Sequence, residues 1–495
     1  MANHVGIDLG TTTSGLAYLR KDGEPEIVPN ADGERLTPSV VYFDPYEDVE
    51  LVGSAARDGG DPCRTVFRIK NWMDDPDYSI EIDGQEWTPT EISALILAKL
   101  KRECSRLIGP IKDVVITVPA NFNELARKST ATAAKICGLN ATRLLNEPTA
   151  AALYYAHSQG VSGRVLVFDM GGGTLDVTVM EVDDDEIRIL LSEVARYLGG
   201  NNFDDMLLEL YTEQYREATG CELYDDEYGR RRALQSVEDA KKMLSKLKTV
   251  TDTIGNSTDG IARIELPREV FEGAITPLLV RSIMLVEQAL NSIDLQPSDI
   301  DHVVLVGGST RIPKVREILK KKFGFEPKTC GNVDECVALG AAMFAAKSRR
   351  VIEVCNHGYG TLAIIENPVT GESAPGNSLV IPKNTRIPCS MSRTYETSED
   401  NEELIEVDVT QGEDDELRYV DLIGKITLQV PAGRPAGCQV KVTYSYDENQ
   451  RVKATVLDEE SGQAKEVAID YKGRGVLDDK QISRKSAYLK QVRIE

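Results

Sequence analysis

The sequence lacks the features that are typical of membrane, secreted and nucleic-acid-binding proteins. No apolar run approaches the length of a membrane span, and the first apolar segment begins almost at Met1, so we expect neither a spanning helix nor a signal peptide. Basic residues are outnumbered 57 to 80, which gives a net charge of −23. This charge argues against a nucleic-acid partner and against an anionic membrane.

Paired cysteines are also missing. The chain has nine cysteines, an odd number, with no Cys-x-x-Cys pair. Cys330 and Cys336 are the nearest two, and they have no histidine companions. We expect all nine to be reduced thiols, mostly buried, in a cytoplasmic protein.

A glycine-rich turn between two apolar runs is the most informative stretch that is present. Residues 165–181 read VLVFDMGGGTLDVTVME, with Asp169 before the glycines and Thr174 and Asp176 after them. Two glycines suffice for a tight hairpin, so the third favours an anion-binding site of converging backbone N–H groups. Because Asp169 and Asp176 cannot face a phosphate directly, we expect Mg²⁺ between them. The alternative is a glycine-rich surface turn with a solvated acid.

The same pattern recurs near the N-terminus. Residues 5–19 read VGIDLGTTTSGLAYL, in which an apolar run ends in Asp8, turns at Gly10 and continues as a second apolar run. This is not a P-loop, because the motif Gly-x-x-x-x-Gly-Lys-Ser/Thr is absent and a strand, not a helix, follows each turn. Two such hairpins predict two similar halves that hold a polyphosphate between them.

Two other stretches are less specific. Residues 302–314 place two glycines after an apolar strand, which leaves room for a flat ring on which Arg311 could stack. Such loops also carry glycine for packing. Glu238, Lys241 and Ser245 share one face of a helical pattern, and by themselves they indicate a solvated face.

The periodicity changes once along the chain. Strand and helix patterns alternate up to residue 347, which indicates α/β layers, whereas the later strands alternate strictly and predict a small antiparallel β-sandwich. The expected organisation is an α/β domain at 1–347, a linker at 348–357, a sandwich at 358–470 and a short polar tail at 471–495 that holds at most one helix.

With these motifs assembled, the chain resembles the heat-shock 70-kilodalton chaperone family of the DnaK type. The resemblance covers about residues 5–469, and five motifs occur in the family's order, at 8–13, 114–152, 169–176, 306–313 and 332–346. It implies an α/β actin-like pair of lobes that closes on ATP or ADP with Mg²⁺, with K⁺ as a further candidate cation. An antiparallel β-sandwich domain follows these lobes.

The resemblance also implies roles in ATP hydrolysis. Lys70 falls at the family's catalytic lysine, whose ammonium offsets charge on the transferring phosphoryl group. The other catalytic positions are Asp8, Glu147, Asp169, Thr174 and Asp176, of which Asp8 and Asp169 hold magnesium, largely through its waters. The positions implied for ATP binding are Gly10, Thr11, Thr12, Thr13, Gly171, Gly172, Gly173, Gly199, Gly200, Glu238, Lys241, Ser245, Gly307, Gly308, Ser309, Arg311 and Asp334.

Further positions are implied for partners. Pro119 and Arg127 match a relay between nucleotide state and domain coupling, and Arg143 matches a position that engages J-domain partners. The implied peptide-groove residues, which bind an extended apolar peptide, are Tyr395, Ser398, Ile405 and Val407. As an alternative, Ile405 and Val407 are plain core residues. The expected partners are unfolded or apolar peptide segments, a J-domain co-chaperone and a nucleotide exchange factor.

Four departures from the family pattern stand out. The linker places Glu353 inside an apolar run and Cys355 at the expected acid, which leaves domain coupling open. Residues 364–371 are longer than usual and lack the apolar residues that arch over a peptide, and Asn71 replaces a second basic residue. Only 25 residues follow Asp470, so we expect the helical lid to be missing and peptide exchange to be fast.

Three classes of function compete on this basis. The first is an ATP-dependent chaperone with a lidless groove and slow ATP hydrolysis. The second is an ATP-binding regulator or scaffold, in which a decoupled sandwich docks one specific protein partner. A sugar kinase or filament-forming protein shares the two lobes but needs no such sandwich. Peptide affinity that differs between ATP and ADP distinguishes the first class from the second.

Overall fold

The computed structural model describes residues 4–46, 49–59, 61–256, 260–329, 331–366, 371, 373–448, 450–468 and 476–495. The first unit, which we call lobe I, consists of β1 (Val5–Leu9), β2 (Thr13–Leu19), β3 (Pro25–Ile27), β4 (Thr37–Pro38), β5 (Val41–Phe43), β6 (Val49–Val52), α1 (Ser54–Gly59), β7 (Thr65–Val66), β8 (Ile80–Ile82), β9 (Gln85–Trp87), α2 (Pro89–Ile108), β10 (Asp113–Val118), α3 (Glu124–Ile136) and β11 (Asn140–Asn146).

Lobe I is built on a six-stranded sheet with the order β11-β10-β1-β2-β3, and β4 pairs with β2. Strand β10 runs parallel to β1, whereas β1 and β2 form an antiparallel hairpin. A smaller sheet holds β5 between β6 and β7. Helix α2 begins with a capping box in which Thr88 and Glu91 satisfy each other's backbone N–H groups.

The second unit, lobe II, follows directly in the chain. It consists of α4 (Glu147–Gln159), β12 (Gly163–Met170), β13 (Thr174–Val182), β14 (Glu186–Arg196), α5 (Gly200–Thr219), α6 (Glu227–Leu244), β15 (Thr249–Asn256), β16 (Gly260–Pro267), α7 (Arg268–Asn291), β17 (His302–Val306), α8 (Pro313–Phe323), β18 (Lys328–Thr329), α9 (Cys336–Ala345) and β19 (Arg350–Ile352).

The main sheet of lobe II repeats the plan of lobe I. Its order is β18-β17-β12-β13-β14-β19, with an antiparallel hairpin of β12 and β13 and a parallel neighbour, β17. Thus β12 and β13 correspond to β1 and β2, and β17 corresponds to β10. This confirms the prediction of two similar halves, each with its glycine-bearing turn at the end of a central strand.

The β-sandwich has two four-stranded antiparallel sheets, as predicted. Their orders are β21-β20-β23-β24 and β22-β25-β26-β27. Its strands are β20 (Tyr359–Glu366), β21 (Ser373–Ile381), β22 (Cys389–Glu396), β23 (Leu404–Gln411), β24 (Asp421–Gln429), β25 (Gln439–Tyr446), β26 (Val452–Asp458) and β27 (Ala464–Ala468).

The linker and the tail differ from the sequence-based expectation. Part of the predicted linker is β19, which pairs in parallel with β14 and so extends the sheet of lobe II. The predicted polar tail contains α10 (Asp479–Gln491) and β28 (Arg493–Ile494), and both pack on lobe I. Period and composition did not reveal this, because both segments take their partners from distant parts of the chain.

Some sequence-based expectations lie outside the described residues, namely those for Cys330, for 367–370 and for 471–475. Cys104, Cys355 and Cys438 are buried free thiols, whereas Cys63 is exposed. Among the helices that the structure describes, none is both long and apolar enough to span a bilayer.

Candidate active site

Buried aspartates stand at the ends of β1 and β12. Thr117 donates its hydroxyl hydrogen bond to Asp8 Oδ1 at 2.9 Å, and Asp169 lies opposite Asp176 across the β12–β13 hairpin. Burial and the carboxylate of Glu147 raise the pKa of Asp8 and of Asp176 to about 7 and the pKa of Asp169 well above its usual range. These carboxylates repel one another, so the cluster favours a cation.

Mg²⁺ fits this cluster. Asp176 Oδ1 is buried and has no hydrogen-bond partner among the described residues, while its Oδ2 accepts from Thr174 at 3.1 Å. Within those residues, no three histidine, cysteine, aspartate or glutamate side chains form a complete metal-binding group. Because Mg²⁺ prefers oxygen ligands and keeps several waters, Asp8 and Asp169 would hold it together with water and phosphate oxygens.

Lys70 provides a positive charge beside these acids. It lies in a 3₁₀ turn at Ile69–Trp72 and is only 6 % exposed. Its ammonium forms an ion pair with Glu147, the first residue of α4, and stands 5.7 Å from the centre of the Phe122 ring. The pair holds an ammonium and a carboxylate side by side, next to the aspartate cluster.

The glycine turns of lobe II converge on one another. The N–H of Gly200 donates to Gly171 O at 2.9 Å, and the N–H of Asn201 donates to Gly172 O at 2.7 Å. A Cβ atom on Gly199 would lie 2.7 Å from Gly172 O, so a larger residue does not fit. Glycine at position 199 therefore allows the two turns to pack directly against each other.

Side chains of two other elements brace these turns. Lys241 of α6 donates to Gly200 O at 3.0 Å, and Ser309, in the turn after β17, donates to Gly171 O at 2.8 Å. Arg311 forms an ion pair with Asp334 and is held at the side of the two glycines that precede Ser309. The solvated-face interpretation of Lys241 is therefore wrong.

These groups line one cavity of about 960 Å³, to which both lobes contribute. It brings together every predicted catalytic residue, and Pro119 also lines it. The predicted ATP-binding residues on its wall are Gly10, Thr11, Thr12, Thr13, Gly171, Gly172, Gly173, Gly200, Glu238, Lys241, Ser245, Gly307, Gly308, Ser309, Arg311 and Asp334. Gly199 lies beside the wall, in contact with Gly172.

Arg68, which contacts the cavity residue Glu238, was missed by the sequence analysis. Its backbone is left-handed, with φ 55°, immediately before the turn that carries Lys70. Its guanidinium reaches lobe II, at 3.1 Å from Asp204 Oδ2 and 3.7 Å from Glu238 Oε2. Asp204 is fully buried and also pairs with Lys241 at 2.6 Å. The local sequence pattern does not predict these ion pairs with lobe II, since an arginine two positions before a lysine is common on protein surfaces.

Two of the predicted coupling residues, Arg127 and Arg143, lie close to Glu353, where the lobes meet the sandwich. Buried Arg127 donates to Asn146 Oδ1 at 2.7 Å, and Asn146 donates to Glu353 Oε2, also at 2.7 Å. Glu353 is 2 % exposed and accepts a further hydrogen bond from Gln450 of the sandwich at 3.1 Å. Burial raises the pKa of Glu353, and the charge of Arg143 opposes that rise.

The predicted groove residues do not form an open pocket. Ile405 and Val407 are 5 % and 7 % exposed and belong to the sandwich core. Tyr395 packs against that core and donates to Ser378 Oγ at 2.9 Å, and Ser398 is exposed beyond the end of β22. This placement favours the alternative in which Ile405 and Val407 are core residues.

Comparisons with known proteins agree with one another. A family model described as "Hsp70 protein" matches residues 4–79 and 69–492. The protein named "Chaperone protein DnaK" from Thermotoga neapolitana is 38 % identical over 97 % of this chain and 82 % of its own length, and its namesake from Thermotoga maritima has the same values. The one from Thermosipho africanus is 37 % identical over 97 % of this chain and 81 % of its own length.

Proposed function

This chain belongs to the Hsp70 family, and from that premise we propose that it is an ATP-dependent chaperone of the cytoplasm. It binds ATP with Mg²⁺ in the cavity between its lobes, hydrolyses it slowly and binds apolar peptide segments at its β-sandwich. One observation carries the proposal. A single cavity joins the Lys70–Glu147 ion pair, the aspartate cluster and the glycine turns.

Lys70, Asp176 and Thr174 have different roles in hydrolysis. The ammonium of Lys70 stabilises charge on the transferring phosphoryl group, while its ion pair with Glu147 keeps both groups at the wall. Asp176 Oδ1 accepts a hydrogen bond from the attacking water, and Thr174 holds the other oxygen of that carboxylate. Bound Mg²⁺ would supply stabilisation of the developing charge on the phosphate oxygens.

The sandwich is connected to this chemistry through Asn146. This residue directly precedes Glu147 and binds Glu353, which in turn binds Gln450 of the sandwich. A change in sandwich position therefore acts on the backbone next to a catalytic carboxylate. A J-domain protein at Arg143 and a nucleotide exchange factor are the partners that this scheme predicts.

A second function is favoured by the state of the groove. Because Ile405 and Val407 are buried in the core, the sandwich presents no open apolar pocket at these two positions. The chain is then an ATP-binding regulator or scaffold, whose sandwich docks one protein partner and whose ATP turnover is independent of unfolded chains.

Single-turnover ATP hydrolysis, measured with and without an unfolded apolar peptide, separates the two functions. A peptide-stimulated rate supports the chaperone and requires that the linker couple the domains. A measurable rate that is indifferent to peptide supports the regulator. Absence of hydrolysis in the presence of Mg²⁺ contradicts the chaperone, and absence of ATP binding contradicts both functions, since each needs a working nucleotide site.

Lys70→Ala tests the role of the cavity lysine. We expect single-turnover hydrolysis to fall by about 100-fold or more, while ATP affinity changes much less, because the ammonium acts mainly on transition-state charge. The matched control is Lys99→Ala, which removes another buried lysine, paired with Glu103 at 2.7 Å and outside the cavity. Unchanged turnover in Lys70→Ala would contradict the assignment.

A further inference from the structure

The last twenty residues form a helix and a strand that lie on lobe I. Ile482 of α10 and Ile494 of β28 are 9 % and 4 % exposed, and they belong to the same hydrophobic cluster as Trp87 and the inner face of α2. Helix α10 packs against α3 and α2. Lobe I therefore takes part of its core from the opposite end of the chain.

Strand β28 extends the small sheet of lobe I. Arg493 and Ile494 pair in parallel with Val49 and Glu50 of β6, and the sheet order becomes β28-β6-β5-β7. The N–H of Glu495 donates to Glu50 O at 2.9 Å, and the N–H of Val52 donates to Glu495 O at 2.6 Å. Addition of a strand at a sheet edge satisfies backbone groups that would otherwise face water.

Polar contacts reinforce this placement. Lys485 of α10 pairs with the buried carboxylate of Glu91 and stands 5.1 Å from the centre of the Trp87 ring. The hydroxyl of Tyr488 donates to Glu50 Oε1 at 2.5 Å. Glu50 and Glu91 are each only 5 % exposed, and a buried carboxylate needs such partners. The segment thus has charge complementarity as well as apolar contact with the surface that it covers.

The sandwich is also attached to lobe II, at its other end. The linker strand β19 pairs with β14, and the N–H of Arg350 donates to Asp185 O at 2.9 Å. Lys383 forms an ion pair with Glu193 of β14 at 2.6 Å. Each end of the sandwich therefore continues into a strand that joins a different lobe.

We propose that residues 476–495 are a strap that joins the sandwich to lobe I by strand addition at β6, as the linker joins it to lobe II. The occupant of the β6 edge is thus a segment of this chain. The sandwich bridges the two lobes, and it separates from either lobe only as far as both attachments allow.

The length of the connection makes the strap restrictive. Ala468 ends β27, and Val476 is eight positions later in the chain. A fully extended chain spans at most about 28 Å over that distance. While β28 stays paired, the end of the sandwich cannot move farther than this from the start of the strap.

The strap also reaches the sheet that leads to the catalytic lysine. Strand β7, at the opposite edge of the β28-β6-β5-β7 sheet, ends at Val66, four residues before Lys70. When β28 pairs with or separates from β6, it therefore changes a sheet whose last strand, β7, continues into the turn that carries Lys70. The sandwich is thus connected to the nucleotide site indirectly through the strap and lobe I, in addition to the connection through Glu353.

Hydrogen exchange of the full-length protein tests the strap. In Ile494→Asp, we expect amide exchange at 49–52 and at the linker residues 350–352 to rise by about tenfold or more, because release of one attachment loosens the other. The matched control is Arg493→Ala, which keeps the strand but removes an exposed side chain. It should leave both segments protected.

Two results would overturn the proposal. If exchange rises at 49–52 but not at 350–352, the segment packs on lobe I without restraining the sandwich. If neither rises, β28 does not hold the β6 edge. Tyr488→Phe, which keeps the ring but removes the hydroxyl bond to Glu50, is a milder variant that guards against simple misfolding. Smaller increases at both segments in this variant support the strap. Size-exclusion chromatography must show a monomer, since a strand-exchanged dimer would contradict attachment within one chain.

Discussion

At the scale of single residues, charge and burial define the nucleotide site. Burial and the carboxylate of Glu147 hold the pKa of Asp8 and Asp176 at about 7, so these acids resist full ionisation at neutral pH without a cation. Lys70 adds one ammonium on the other side of Glu147. This balance suits a polyanion that arrives together with its cation, as Mg²⁺-nucleotide does.

Arg68 makes a testable contribution at this scale. We predict that Arg68→Gly accelerates ADP release by about three- to tenfold, because the arginine joins lobe I to Asp204 and Glu238 of lobe II. Glycine keeps the left-handed backbone without strain, so the turn that carries Lys70 is retained. Dissociation of a fluorescent ADP analogue measures the effect.

Lys347→Gly is the matched control for Arg68→Gly. Lys347 has the same φ of 55°, and its exposed side chain is not part of the cavity wall. Its substitution by glycine relieves the same strain of a left-handed backbone and should leave the rate of ADP release unchanged. Equal release rates for wild type and Arg68→Gly would mean that this ion pair does not hold the cleft.

At the scale of elements, close helix packing explains a stretch of small residues. The small residues Gly340, Ala341 and Ala342 lie in α9, which packs against α4, β1 and β2. A Cβ atom on Gly340 would lie 1.8 Å from the carbonyl oxygen of Ala150 in α4. Only glycine allows the two helices to approach this closely.

We therefore predict that Gly340→Ala lowers the free energy of unfolding by ~2 kcal/mol, despite the higher helix propensity of alanine, because the added methyl group separates α9 from α4. Gly273→Ala in α7 is the control. A Cβ atom there meets nothing within 4 Å, so stability should rise by ~0.5–1 kcal/mol. Denaturant titration of both variants measures the difference, and a neutral Gly340→Ala would refute the packing argument.

In the linker, the observed role of Glu353 depends on the elements that pack around it. In the sequence, Glu353 interrupts an apolar run and suggests weakened coupling. In the structure, Glu353 follows β19 and accepts hydrogen bonds from Asn146 and Gln450. The acid is therefore a connection between domains, and peptide stimulation of hydrolysis remains the test of whether a signal passes through it.

At the scale of the whole molecule, the contact between the lobes and the sandwich favours neutral groups. Glu124, the first residue of α3, lies near the β25–β26 hairpin, and burial raises its pKa from 4.5 to about 7. Burial lowers the pKa of His357 to about 3, and its ring nitrogen Nε2 lies 3.1 Å from Asn121 O. Burial in the docked arrangement therefore disfavours the charged form of both groups.

These shifts predict opposite pH effects. Glu124 binds its proton more tightly in the folded form, so its contribution to stability is complete below about pH 4.5. This contribution is lost as the pH rises to 7 and above, because the buried carboxyl group then ionises. For His357, the lowered pKa favours the folded form above about pH 6.5 and penalises it as the pH falls. The combined interface is therefore weakened on both sides of a mildly acidic range.

Glu124→Gln isolates the acidic group. The amide stays neutral at every pH. We therefore expect the free energy of unfolding of the variant, relative to that of the wild type, to be ~2 kcal/mol higher at pH 8 than at pH 5. Glu217→Gln, on the exposed side of α5, is the control and should show no such difference. A pH-independent gap between wild type and Glu124→Gln would mean that this carboxylate is not desolvated by the sandwich.

Much of the site could be predicted, because its signals are local in the chain. An apolar strand that ends in Asp8 or Asp169 and turns on glycine carries its chemistry within a few residues. Gly10 and Gly172 meet in one cavity because the repeated hairpin determines where each turn points. Lys241 of α6 was assigned to this cavity only through the family resemblance. The peptide groove was less predictable. The strand around Ile405 has the same alternation of apolar and polar residues whether its apolar face lines a closed core or an open groove.

By itself the sequence determined the order of motifs and the change from α/β layers to a β-sandwich, and its resemblance to a known family implied most of the residues that line the nucleotide cavity. These properties follow from periodicity and from short motifs, which depend on neighbouring residues. Only the tertiary structure decided that Arg68 reaches Asp204, that Glu353 is buried between domains, and that β28 pairs with β6. Each of these contacts joins segments far apart in the chain, and their pairing depends on how whole elements pack.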